Sequence, residues 1–206
     1  MASRLIFLRH GQTGLSGRYI GSSEVLLSEK GKAQIKGLRP ELAALPIEIV
    51  MTSPMQRCLQ SVDLLNLGLP TRLDPDLQEI DFGRWEGKTF QEIESQDPEL
   101  VQHWASGLAD FCFPEGEATA AFASRMNAVK ERLLAIDNKT ILVVAHGGVI
   151  RSLICGLLGL SQQHYLLFQA AKGHYSTMDL HSGGGVLTGF NLGTVTPYER
   201  GSKWLD

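Results

Sequence analysis

Two apolar runs constrain this chain more than any other feature, because each stops abruptly at a histidine followed by a glycine. "LIFLRHGQT" covers Leu5 to Thr13, and "ILVVAHGGV" covers Ile141 to Val149. Each run is long enough to cross a core only as a short buried strand. A third run, "IEIVMTSP", ends in Ser53-Pro54 and leads into "MQRCLQSVDLL". Ser53 can cap a helix there, Pro54 can take its first position, and Arg57 then falls in the first turn, near the strand's carboxyl end. Apolar runs alternating with turn signals and helical patterns describe parallel strands joined by helical crossovers, an α/β fold.

The longest helical pattern runs from about Glu117 to Ile136, where Phe122, Met126, Val129 and Leu133 share one face and read as core packing. Another helix is expected from near Gly148 through "VIRSLICGLLGL", and "STMDLHSGGGVLTGF" reads as a hairpin at a sheet edge. Residues Gly83 to Glu117 differ in character, with Trp85, Trp104, Phe111 and Phe113 set in weak periodicity. This stretch is expected to be an insertion or lid within a single domain spanning residues 1–206, not a second domain.

A net charge of −3 with mixed signs excludes a polyanion-coating surface, so nucleic acid is not an expected partner, although a local basic pocket remains compatible. Cys58, Cys112 and Cys155 are scattered and odd in number, which argues against a disulfide framework and fits a reducing cytoplasm. No apolar run approaches the length of a membrane span or a signal-peptide core, so the chain reads as soluble, unprocessed and without a membrane partner. Its oligomeric state is not legible.

In an open α/β sheet, ligands bind beyond the carboxyl ends of the strands. His10, His146 and the turn from Ser53 to Arg57 all fall at such ends. Gly11, Gly147 and Gly148 remove side chains beside the histidines, which lets backbone N–H groups approach an anion. Arg9 and Arg57 add guanidinium forks suited to phosphate or carboxylate oxygens. Together these groups describe a phosphate-sized anion site. A metal site is disfavoured, since arginine beside a histidine repels a dication and no carboxylate or cysteine stands at ligand spacing. "GRWEGKT", Gly83 to Thr89, has three residues between its glycines where a nucleotide-binding loop needs four, and no NTPase role is assigned.

With phosphate bound, a neutral imidazole can attack phosphorus in line and form a phosphohistidine, while arginines and a protonated second histidine stabilise the equatorial oxygens. The leaving oxygen needs a proton from a carboxylic acid. Glu24, Glu79, Asp81 and Glu86 are all candidates, and spacing does not choose among them.

At "LRHGQT", "TSPMQRCLQS", "LQEIDFGRWEG", "FPEGEA" and "VVAHGGVIRSL", in this order, the sequence resembles the histidine phosphatase superfamily, which includes the cofactor-dependent phosphoglycerate mutases. "GRYIGSSEVLLSEKG" and "EIDFGRWEGKTFQEI" resemble its α-ribazole phosphatase branch in cobalamin biosynthesis. The resemblance implies a three-layer sandwich with a mostly parallel central sheet, helices on both faces and a small lid. It implies His10 as the phosphorylated nucleophile, with Arg9, Arg57 and His146 around the phosphoryl group. It further implies Glu79 as general acid and base, Gln12, Thr13 and Gly147 near the phosphate, and no metal or other cofactor. The chain departs from the pattern at Gln12, Ser16, Glu24, Leu26 and Ala118, which bears on substrate identity. The expected activity is metal-independent hydrolysis of a small phosphorylated metabolite, with α-ribazole 5′-phosphate leading. A mutase, a broad sugar-phosphate phosphatase and a non-catalytic phospho-ligand binder are the alternatives. Trp85, Trp104, Phe111 and Phe113 are expected to pack the lid rather than stack on a ligand. His103, His164 and His181 read as surface or structural residues, as does His174, although in "KGHYST" it could approach the site from the C-terminal strand.

Overall fold

The computed structural model describes residues 3–106, 110–137 and 139–193. Strand β1 (Arg4–Arg9) leads to helix α1 (Glu29–Ala43), and β2 (Ile49–Thr52) leads to α2 (Gln56–Leu65) and then the short β3 (Thr71–Leu73). Helices α3 (Phe90–Gln96), α4 (Pro98–Ser106) and α5 (Thr119–Leu134) follow. Strand β4 (Thr140–Ala145) precedes α6 (Gly147–Leu157), and β5 (Tyr175–His181) and β6 (Gly184–Leu192) end the described chain.

The six strands form one mixed sheet in the order β3-β2-β4-β1-β5-β6. The four strands from β3 to β1 pair in parallel, and β5 and β6 add as an antiparallel edge hairpin. The apolar runs are buried on both faces, as parallel strands require. Leu5, Phe7, Ile141 and Val143 point to one core, which also holds Met126, Val129 and Leu133 of α5 and Val149, Leu153 and Ile154 of α6. Ile6, Leu8, Leu142 and Val144 point to the other, with Ile35 and Leu38 of α1 and Cys58 and Leu65 of α2. The alternation along each strand therefore builds three layers. No helix among the described residues is long and apolar enough to cross a membrane.

Local boundaries depart from the sequence expectations for identifiable reasons. Helix α2 begins at Gln56, not Pro54, because the Ser53 N–H donates to Val144 O (3.1 Å) and keeps that residue in the strand's extension. Its first N–H is instead capped from afar by Glu24 Oε2, which accepts from Gln56 N at 3.0 Å. Helix α5 starts at Thr119, with Glu117 held outside it and paired with Arg125 at 2.7 Å, and ends at Leu134. The weakly periodic stretch contains α3 and α4, whose seven and nine residues are too short to show a stripe. A capping box of Thr89 and Glu92 starts α3. The large aromatics of this stretch are buried, with Trp85 fully so and its Nε1 donating to Asp97 Oδ2 at 2.9 Å.

Candidate active site

His10 and His146 each lie one residue beyond their strands, and the parallel register sets Arg9 beside Ala145. The two imidazoles consequently meet edge to face, with ring centroids 5.2 Å apart. Strand β1 hands over to α1 on one face of the sheet and its neighbour β4 to α6 on the other, so the crossovers diverge where the histidines sit. Such a switch point is where an α/β sheet opens a crevice.

Hydrogen bonding sets the state of each ring. His10 Nδ1 lies 2.8 Å from Gly11 O, and a carbonyl only accepts, so Nδ1 carries the proton and Nε2 keeps its lone pair. Burial, followed by the charges of Arg9 and Arg57, holds His10 well below its ordinary pKa. It is a neutral imidazole with a free nitrogen. Arg57 is fully buried; its Nε donates to His146 Nδ1 (3.1 Å), its Nη1 to Ser23 O (2.9 Å) and its Nη2 to Gly21 O (2.7 Å). His146 Nε2 must then carry the proton, which it donates to Ser53 Oγ at 2.8 Å. Burial and the neighbouring Arg57 push the His146 pKa down as well.

A cavity of about 90 Å³ opens beside these groups. Arg9, Arg18, Arg57, Arg151 and Lys172 line it, against one carboxylate, Glu79. Five cations around one acid in a small crevice form an anion trap. Glu79 is held from two sides. Its Oε2 accepts from Gly148 N at the start of α6 (2.9 Å), while Arg125 clamps its loop by donating to the carbonyls of Asp76, Gln78 and Glu79. The other candidate carboxylates are committed elsewhere. Glu24 caps α2, Asp81 Oδ1 accepts from Ser22 Oγ and Gly83 N, and Glu86 Oε1 gathers the N–H groups of Gly21, Ser22 and Phe82. Among the described residues, no three His, Cys, Asp or Glu side chains converge as a metal site.

Residues 5–193 match the family model of the histidine phosphatase superfamily (branch 1). The chain belongs to this superfamily. It is 31% identical over 197 residues to the adenosylcobalamin/alpha-ribazole phosphatase of Salmonella typhimurium, covering 93% of this chain and 98% of that one. It is 28% identical to phosphoserine phosphatase 1 of Hydrogenobacter thermophilus, covering 92% of each. The solved alpha-ribazole phosphatase of Shigella flexneri superposes with a TM-score of 0.84 at 27% identity, over 92% of this chain and 96% of that one.

In this histidine phosphatase the geometry sets the expected site residues at different places relative to the cavity. Gln12 does not line the cavity, because its backbone is tied to α1: its N–H donates to Gln34 Oε1 and its carbonyl accepts from Ser28. Thr13 and Gly147 do line it. His146 is outside the cavity lining, bonded to Arg57, and without phosphate is held below its ordinary pKa. Gly11 serves packing, since a Cβ there would lie 2.5 Å from Gly31 O. Gly148 serves the site differently: a Cβ would lie 2.5 Å from Glu79 Oε1 and displace the carboxylate. Of the four aromatics, only Trp104 reaches the cavity. His174 is outside it, with Nδ1 3.1 Å from Lys172 O, and the neighbouring Lys172 is the residue that lines it. Arg18, Arg151 and Lys172 also line it, beyond the residues expected from the sequence. Arg151 was findable, because it sits four residues after Gly147 on the same face of α6.

The two buried imidazoles make stability depend on pH. Both are held neutral below their ordinary pKa of 6.5, so the unfolded chain binds more protons on acidification. Their contribution is complete above that ordinary value and is lost as pH falls toward the folded-state values. Each contributes a slope of up to ~1.4 kcal/mol per pH unit. Thermal midpoints recorded without phosphate between about pH 8 and 5 are expected to fall on the acid side, with a shallower fall in His10→Gln. A flat profile would contradict the neutral assignment.

Proposed function

We propose that this chain, as a phosphoric monoester hydrolase of the superfamily, acts on a small phosphorylated metabolite through a phosphohistidine on His10, without a metal. The observation that carries this reading is His10 itself, whose Nδ1–H is fixed on Gly11 O so that Nε2 keeps a lone pair on a ring that lines the cationic cavity. A phosphoryl group held by Arg9 and Arg57 would meet that nitrogen, and the developing charge would spread over oxygens already facing guanidinium groups. Glu79, across the same cavity, donates a proton to the leaving oxygen and then takes one from the water that cleaves the phosphohistidine. Thr13 and the start of α6 at Gly147 complete the phosphate contacts. His146 acts through Arg57, whose orientation it shares in fixing. The stretch 83–117 acts as a lid within one catalytic domain, reaching the cavity through Trp104.

We infer α-ribazole 5′-phosphate as the substrate, supported by relatives that carry that activity in their names and span almost this whole chain. Phosphate release from this ester in excess EDTA, compared with phosphoserine and 3-phosphoglycerate, tests the assignment. Preferential release from α-ribazole 5′-phosphate is expected, and preference for either carboxylated ester would overturn it. The role of Glu79 has its own signature. Glu79→Gln keeps an acceptor for the Gly148 N–H but loses the proton. It should cost on the order of 10²-fold on an alkyl phosphate and clearly less on p-nitrophenyl phosphate, whose leaving group needs no acid. Equal losses on both esters would remove Glu79 from the proton-transfer role.

A further inference from the structure

A second and larger cavity, about 530 Å³, adjoins the first, and Ile80, Phe122 and Tyr165 line both. Ala123, Ser124 and Asn127 of α5 form one wall, and Ser161, Gln162 and Gln163, around the start of a 3-10 segment at Gln162–Leu167, form the other. Its size is that of a small-molecule site. Its chemistry differs sharply from its neighbour's, because none of its lining side chains is acidic or basic. Burial pushes the Tyr165 phenol up, so this ring too is neutral at physiological pH. The boundary between the two cavities is a built feature. The Arg151 guanidinium lies 4.9 Å from the Tyr165 ring centroid, and its Nε donates to Gly147 O at 3.0 Å, which turns the charge toward the phosphoryl side and braces the ring.

A leaving group extending past Tyr165 therefore enters a groove of amides, hydroxyls and apolar surface. A carboxylate, ammonium or second phosphate seated there would meet no counter-charge among the lining side chains. A neutral ring bearing hydroxyl groups would gain aromatic and aliphatic contact from Phe122, Tyr165 and Ile80 and hydrogen bonds from the amides and hydroxyls of the walls. We propose that this groove is the leaving-group subsite, and that it selects phosphate esters of uncharged, hydroxyl-bearing alcohols of nucleoside size. The proposal rests on the phosphatase reading above and adds to it the residues that choose the substrate.

The experiment narrows the groove from each wall separately, with Ala123→Trp on α5 and Gln163→Trp opposite. Rates are measured on α-ribazole 5′-phosphate, phosphoserine and acetyl phosphate, the last two having leaving groups too small to fill the groove. Each variant is expected to raise KM for α-ribazole 5′-phosphate at least tenfold and to leave kcat/KM for acetyl phosphate and phosphoserine within twofold. An unchanged KM for the large ester in both variants, or parallel losses on all three, would overturn the subsite. Failure of the underlying phosphatase reading shows differently, as wild-type protein that releases no phosphate even from acetyl phosphate.

Discussion

Replacing His10 with alanine is expected to lower kcat/KM on any substrate ester by on the order of 10⁴-fold or more, the scale seen when an enzymatic nucleophile is removed. The size follows from the geometry. His10 is buried with 5% of its surface exposed, and among the described residues no other histidine lines the cavity, His146 being engaged at both ring nitrogens. Nothing stands ready to replace it. Arg9, Arg57 and Lys172 are untouched by the substitution, so the variant should still bind inorganic phosphate and keep its far-UV circular dichroism. Acid-labile phosphate should accumulate on quenched wild-type protein during turnover and be absent from the variant. Activity within tenfold of wild type would sink the nucleophile assignment.

Arg57→Lys is expected to damage both stability and phosphate binding although it keeps the charge. The guanidinium donates at once to Gly21 O, Ser23 O and His146 Nδ1, acceptors that lie in three directions. One ammonium cannot reach all three, and each buried acceptor left without a donor costs about 1–3 kcal/mol. A net loss of ~2–4 kcal/mol would lower the thermal midpoint by roughly 5–15 °C. Freed from Arg57, His146 Nδ1 regains a site for a proton, so the acid-side loss of stability attributable to that ring should shrink. A variant with wild-type stability and an unaltered pH profile would show that Arg57 contributes charge alone.

These expectations draw on different depths of the sequence. The strands β1, β2 and β4 were legible because a run buried on both faces has no polar position to spare, and the edge hairpin was legible from its glycine cluster. Strand β3 was not, because three exposed residues carry no pattern. Helix starts were displaced for a related reason: the cap of α2 comes from Glu24, which no local window around Ser53 contains. The family resemblance singled out Glu79, but the residues alone left four carboxylates equal. What separates them is Arg125, whose guanidinium gathers the carbonyls before Ile80 and turns the Glu79 side chain toward Gly148.

The positions of the two histidines follow from the chain's own pattern, because apolar periodicity sets where a strand stops and parallel pairing brings such ends together. The same pattern puts Arg57 near them, in the first turn of the helix that follows β2. Contacts across the fold hold His146 below its ordinary pKa, make Glu79 the one of the four candidate carboxylates that lines the cavity, and bring Arg18, Arg151 and Lys172 to it. The same contacts continue it into an uncharged groove. These features depend on contacts between segments far apart in the chain, and a side chain's protonation and direction follow from its neighbours in space, which no local pattern encodes.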